Sequence, residues 1–207
     1  MSTKHAMSSE QTGVTERGMF TEHTGVTKHG MFTEHTVESA PPAARRAMTA
    51  TANHLGYLPS AVALMATSPD LLDGFLKLSA LFEGTTLDPV AREVLIMTIA
   101  TRNGCHLCVA MHTARLTALA ANPALITALR SGKTLADPRL DAVRVFTLRV
   151  LGTTGDVGDA ALRAFLAQGY TEQNALEVVL GIGAYTMSTL ANRLTGAPVD
   201  EPLRQFA

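Results

Sequence analysis

The chain is poor in net charge and nearly free of cysteine, and each shortage narrows what it can be. Lys and Arg number 17 against 18 Asp and Glu, a net charge of -1 over 207 residues. The bulk positive field of a dedicated nucleic-acid binder is therefore absent, and no basic cluster replaces it. The charge-free stretch from Val178 to Asn192 runs 15 residues, short of the ~18 to 20 apolar residues of a membrane span. Its Gly, Thr, Ser and Asn residues weaken that reading further. The first thirty residues hold no apolar core of ~7 residues, so no secretory signal is expected, and the default setting is cytoplasmic and reducing. Runs of alternating β-branched residues are also missing, which argues against strands. With 46% hydrophobic residues the chain should fold, as one compact domain plus a tail at ~100 to 200 residues per domain.

The tail is visible as a repeat. Thr12 to His23, TGVTERGMFTEH, is followed at once by Thr24 to His35, TGVTKHGMFTEH, identical at ten of twelve positions. Each copy carries one Met-Phe pair as apolar anchor, too little to offset its ordering entropy. Residues 1–42 are thus expected to form a flexible, low-complexity tail closed by Pro41-Pro42, and residues 43–207 the folded domain. Four of the seven histidines lie in this tail. A metal-binding tail, a multivalent docking peptide and a duplicated extension without separate function are all compatible with it.

Beyond Pro42 the sequence is punctuated for helices. Ser68-Pro69, Asp88-Pro89, Asn122-Pro123 and Asp137-Pro138 each place a capping side chain before a proline at the first helical position. Gly84, Asn103-Gly104, Gly132 and Gly152 read as the matching stops. An opening helix from about Ala43 to His54 and two further segments, Ala160 to Gln168 and Thr171 to Leu194, complete an all-α domain. The stripe Leu176, Val179, Gly183 and Met187 predicts an apolar helix at the centre or in a subunit interface. The Gly181-Ile182-Gly183 element reads as close helix packing, since no strand precedes it as a phosphate loop would require.

The two cysteines stand together as Cys105-His106-Leu107-Cys108. In a reducing compartment a lone CxxC is more often catalytic or metal-binding than a structural staple. Asn103-Gly104 ends the preceding helix, which puts the pair on the first turn of the next. There the free peptide N-H groups and the helix dipole favour thiolate. Cys105, Cys108 and His112, three and four residues apart, share one face. If the break makes an antiparallel hairpin, Glu93 and His112 lie at heights within about 3 Å of one another at ~1.5 Å rise per residue. Zinc remains an alternative, although only His112 could join the thiolates on the same helix. Haem attachment fails because Val109 follows the second cysteine. Glu93 could equally be a solvated charge beside Arg92, and His112 a satisfied core histidine, while His106 points away from the cysteine stripe.

Glu93, Cys105, His106, Cys108 and His112 together resemble the motif of the alkylhydroperoxidase AhpD-like members of the carboxymuconolactone decarboxylase superfamily. The resemblance is strong over Asp88 to Leu119 and looser to Pro198. It implies an all-helical fold, a trimer or hexamer, and thiol-dependent peroxidase or disulfide reductase activity. By position it makes Cys108 the peroxidatic thiol, Cys105 the resolving thiol or proton donor, Glu93 with His112 the proton relay, and His106 a secondary site residue. No metal, flavin or nicotinamide motif accompanies these residues. Electrons would then come from a dithiol such as a lipoyl-type carrier or a thioredoxin-like protein. Two other classes stay open: a non-redox lyase on the same scaffold, and a zinc-stabilised interaction module.

Overall fold

The computed structural model describes residues 31–207. Most of the tandem repeat, and with it the expectation of a flexible tail, lies outside the described residues. Among those described, every regular element is helical: α1 (Pro42–Leu55), α2 (Ser60–Met65), α3 (Pro69–Glu83), α4 (Pro89–Arg102), α5 (His106–Ala118), α6 (Pro123–Arg130), α7 (Pro138–Thr153), α8 (Gly158–Leu166) and α9 (Glu172–Thr195), closed by a 3-10 helix, Glu201–Phe206. Packing begins before the proline pair expected to open the domain. The His35 N-H donates to the Ala63 carbonyl at 3.3 Å, and Ala40 is buried against the same cluster as Met48 and Cys108.

The punctuation acts through side-chain caps. Ser68, Asp88, Asn122 and Asp137 each accept a hydrogen bond from a peptide N-H of the first turn. Each bond satisfies one of the donors a helix start leaves unpaired, and losing such a cap costs about 1 kcal/mol. Thr171 and Asn174 form a reciprocal capping box at the start of α9. One expected stop is displaced: α7 continues through Gly152 to Thr153 and ends at Thr154 in the left-handed region. Two elements escaped the sequence reading, the short α2 and the terminal 3-10 helix.

The central helix is α4. Every residue from Glu93 to Ala100 is buried, and it packs against α5, α7 and α9. With its own Leu95, the surrounding Phe82, Val143, Phe165 and Val178 form the larger core. A second cluster of smaller side chains, Ala44, Met48, Met65, Leu72, Leu107, Ala191 and Leu203, surrounds the two cysteines. Long helix α9 lies against α3 and α4 with a face other than the stripe singled out above. Leu176 is 73% exposed and Val179 51%, joined outside by Leu190 and Leu194. The helix is central through its other face, on which Val178 and Ala184 are buried, while the named stripe itself turns outward. Inside, a Cβ at Gly181 would sit 2.6 Å from the Phe82 ring and 2.8 Å from Leu95, whereas one at Gly183 would meet nothing. Close packing therefore holds at Gly181 alone.

Candidate active site

The loop from α4 to α5 positions the cysteine pair. Gly104 has φ of +62°, a left-handed conformation that favours glycine, and a Cβ there would press on the Arg193 guanidinium at 3.3 Å. The Arg193 guanidinium in turn donates to the Asn103 carbonyl, and the Asn103 amide donates to Thr189 Oγ1 at 2.8 Å. Two bonds thus fasten the loop to α9. Cys105 is the N-cap of α5, where its sulfur stands in for the usual capping oxygen and accepts the Cys108 N-H at 3.4 Å. Cys105 and Cys108 are joined as a disulfide with their Cα atoms 5.3 Å apart. Both are buried.

On the facing helix Glu93 is buried, 2% exposed, which removes the reading of it as a solvated charge. Its Oε2 lies 2.8 Å from Nδ1 of His112. A carboxylate can only accept, so with Glu93 ionised Nδ1 carries the hydrogen and Nε2 is left to take up or release a proton. The Tyr185 ring meets the imidazole edge to face, centroids 5.6 Å apart, fixing the ring on its other side. The Tyr185 hydroxyl is 3.2 Å from Ser79 Oγ. Burial, with the carboxylates of Glu83 and Glu93 adding to it, pushes this phenol up to about 12. Tyr185 therefore rests as the neutral phenol, with its hydroxyl against Ser79 and its ring against His112.

Of the residues singled out in the sequence, Cys105, Cys108, Glu93 and His112 come together at the α4–α5 contact. No hydrogen bond joins the Glu93–His112 pair to either sulfur. His106 is exposed at the first turn of α5, on the outside of the cysteine pair, because at helical spacing its neighbours Cys105 and Cys108 already fill the inner face. Asn192 was not anticipated. From α9 its Nδ2 donates to Cys108 Sγ at 3.3 Å, and its Oδ1 is buried with no partner among the described residues. Its place in a charge-free run, one turn from Ser188 and two from Tyr185, was the available signal. Among the described residues no three His, Cys, Asp or Glu side chains gather as metal ligands, and no helix is long and apolar enough to cross a membrane.

Residues 69–144 match the Carboxymuconolactone decarboxylase family, a segment that contains Glu93, both cysteines and His112. No curated protein matches the chain by sequence. Solved structures do match by fold. An alkylhydroperoxidase AhpD core, a peroxidase-related protein from Ralstonia eutropha, superposes with a TM-score of 0.73 at 21% identity over 83% of this chain and 93% of its own. A peroxidase-related protein from Silicibacter gives 0.71 at 16% identity, over 86% and 94%. The debrominase Bmp8, in complex with 2,3,4-tribromopyrrole, gives 0.67 at 17% identity, over 85% and 95%. The family match thus covers the segment that carries the site, and the fold of the chain is that of the AhpD-like structures.

Proposed function

We propose that this protein is a thiol-dependent peroxidase that reduces hydroperoxides through Cys105 and Cys108. The observation that carries the reading is a carboxylate–imidazole pair, buried Glu93 of α4 and half-buried His112 of α5 at 2.8 Å, beside a CxxC disulfide at the start of α5. Such a pair supplies acid-base assistance to a thiol one turn away. In the proposed cycle the Cys108 thiolate attacks the outer oxygen of the hydroperoxide. The O–O bond breaks, the alcohol leaves with a proton, and Cys108 becomes a sulfenic acid. The Cys105 thiol attacks that sulfur, water leaves, and the disulfide closes. A lipoyl-type or thioredoxin-like dithiol then gives up two electrons and two protons to reopen it. His106 takes a lesser place at the rim.

The exposed stripe Leu176, Val179, Leu190 and Leu194 on α9 supports self-association, the trimer or hexamer the resemblance implies, since apolar patches of this kind mark interaction surfaces. The N-terminal repeats would serve a docking partner.

Thiol counting tests the reading. Reduced protein treated with one equivalent of an alkyl hydroperoxide should lose both free thiols and, by mass, two hydrogens per chain. Two thiols left free would overturn it, and indifference to thiol blocking would favour the lyase. Turnover of a bromopyrrole in place of the peroxide would move the protein toward the chemistry of the debrominase neighbour.

A further inference from the structure

The structure assigns a role to Asn192: we propose that its side-chain amide is the hydrogen-bond donor that holds the Cys108 sulfur as thiolate once the disulfide is opened. This rests on the reading of Cys108 as the reacting thiol. Two independent features point to it. Nδ2 lies 3.3 Å from Cys108 Sγ, and Oδ1 of the same buried amide has no partner among the described residues. The side chain is therefore not kept in place by any other polar bond, and its single polar contact is sulfur. A disulfide sulfur is a weak acceptor, whereas a thiolate is a full anion, and bonds to charged acceptors are the strong ones. The contact gains most strength in the reduced state. The orphaned Oδ1 also fits that state. Rotating the amide by half a turn exchanges its two ends, so one side chain can donate to a thiolate or accept from a thiol S–H.

The start of α5 favours a thiolate through its peptide groups, but the one side-chain hydrogen bond to the Cys108 sulfur among the described residues is that of Asn192. The titratable groups facing the site are Glu93 on α4, Cys105 and His112 on α5, and Tyr185 on α9. Glu93 is held by His112, Tyr185 by Ser79, and Arg193 by the Asn103 carbonyl. From α1, α2, α3 and the 3-10 helix the surroundings are Met48, Met65, Leu72 and Leu203. Glu93 opposes an anion here, so a neutral donor on the opposite helix is what offsets it. Cys105 is served separately, since its sulfur accepts the Cys108 peptide N-H.

The test uses iodoacetamide on the reduced full-length chain carrying Cys105→Ser, so that Cys108 is the sole thiol. The pH profile of alkylation reads its thiolate midpoint. That midpoint should fall below the ~8.5 of an ordinary cysteine. Asn192→Leu should raise it by about one unit, a roughly tenfold slower reaction at pH below the midpoint. Asn192→Asp, which keeps the shape and brings a carboxylate, should raise it further. A packing role alone would lower stability in both variants and leave the midpoint where it is, and that result overturns the proposal. So does a midpoint at or above ~8.5 in the unsubstituted position, a reading that requires no Asn192 variant to fold. Because the probe is not a peroxide, absent peroxide turnover with an intact Asn192 effect would sink the peroxidase reading alone.

Discussion

Two carboxylates, Glu93 and Glu177, are buried among the described residues, and they are furnished in opposite ways. Glu177 on α9 accepts from the Thr86 N-H at 3.0 Å, from the Thr86 hydroxyl on both oxygens, from the Asn174 amide at 2.9 Å and from Gln173 at 2.9 Å. Glu93, as buried, has one recorded partner, the His112 ring. Capacity filled by donors from Thr86, Gln173 and the capping residue Asn174 has a structural use: it ties the loop before α4 to the start of α9. A carboxylate left with one titratable partner beside a thiol pair is free to change its hydrogen bonding during a reaction. Burial alone would not have told the two apart.

The largest effect should come from breaking the sparse pair. Glu93→Gln removes the charge and keeps the shape, so peroxide turnover should fall by about 10²-fold or more, the scale of lost acid-base assistance, with the unfolding midpoint nearly unchanged. His112→Ala should do the same. Steady-state rates and thermal melts on the same samples decide it, and equal rates in both variants would return the pair to a structural role.

The complementary substitution should reverse the pattern. Glu177→Ala leaves the Thr86 N-H and the Asn174 amide without their acceptor inside the protein. It should cost about 2 to 3 kcal/mol of stability, the scale of buried donors left unpaired, while turnover per folded molecule stays within about twofold. Denaturant titration measures the first and an assay corrected for the folded fraction the second. A turnover loss matching that of Glu93→Gln would mean the two carboxylates are coupled through α4 and α9.

What the sequence made legible divides along the same line. Caps and prolines act within three or four residues, so the starts of α3, α4, α6 and α7 could be read directly. The meeting of Glu93 with His112 followed from counting residues across one tight break. Contacts between distant segments could not be counted. Asn192 reaches Cys108 across 84 residues, Tyr185 reaches Ser79 across 106, and Glu177 reaches Thr86 across 91. In α9 both faces are apolar, Ala175 and Val178 on one and Leu176 and Val179 on the other, so periodicity does not say which turns inward. Helix α2 was missed because its six residues are too few to show a period, and five of them are buried.

Acid should separate the carboxylates by a smaller effect. Burial works to raise the Glu177 carboxyl, but the hydrogen bonds from the Thr86 backbone, Asn174, the Thr86 hydroxyl and Gln173 outweigh it and hold the group below the usual carboxylate range. A carboxyl depressed in the folded state contributes stability that is fully present above its unfolded value, ~4.3. That contribution is lost as the pH falls through the lower, folded value. Glu177→Gln has no such group to protonate. The stability gap between the native chain and this variant should therefore be widest near neutral pH and narrow steadily below about pH 4, where the native Glu177 binds its proton. Denaturant unfolding at a series of pH values from about 3 to 7 measures that gap. A gap that stays constant across the series would show that the donors around Glu177 hold the protonated acid as well as the carboxylate. The contrast with Glu93 would then rest on the number of partners alone and not on charge.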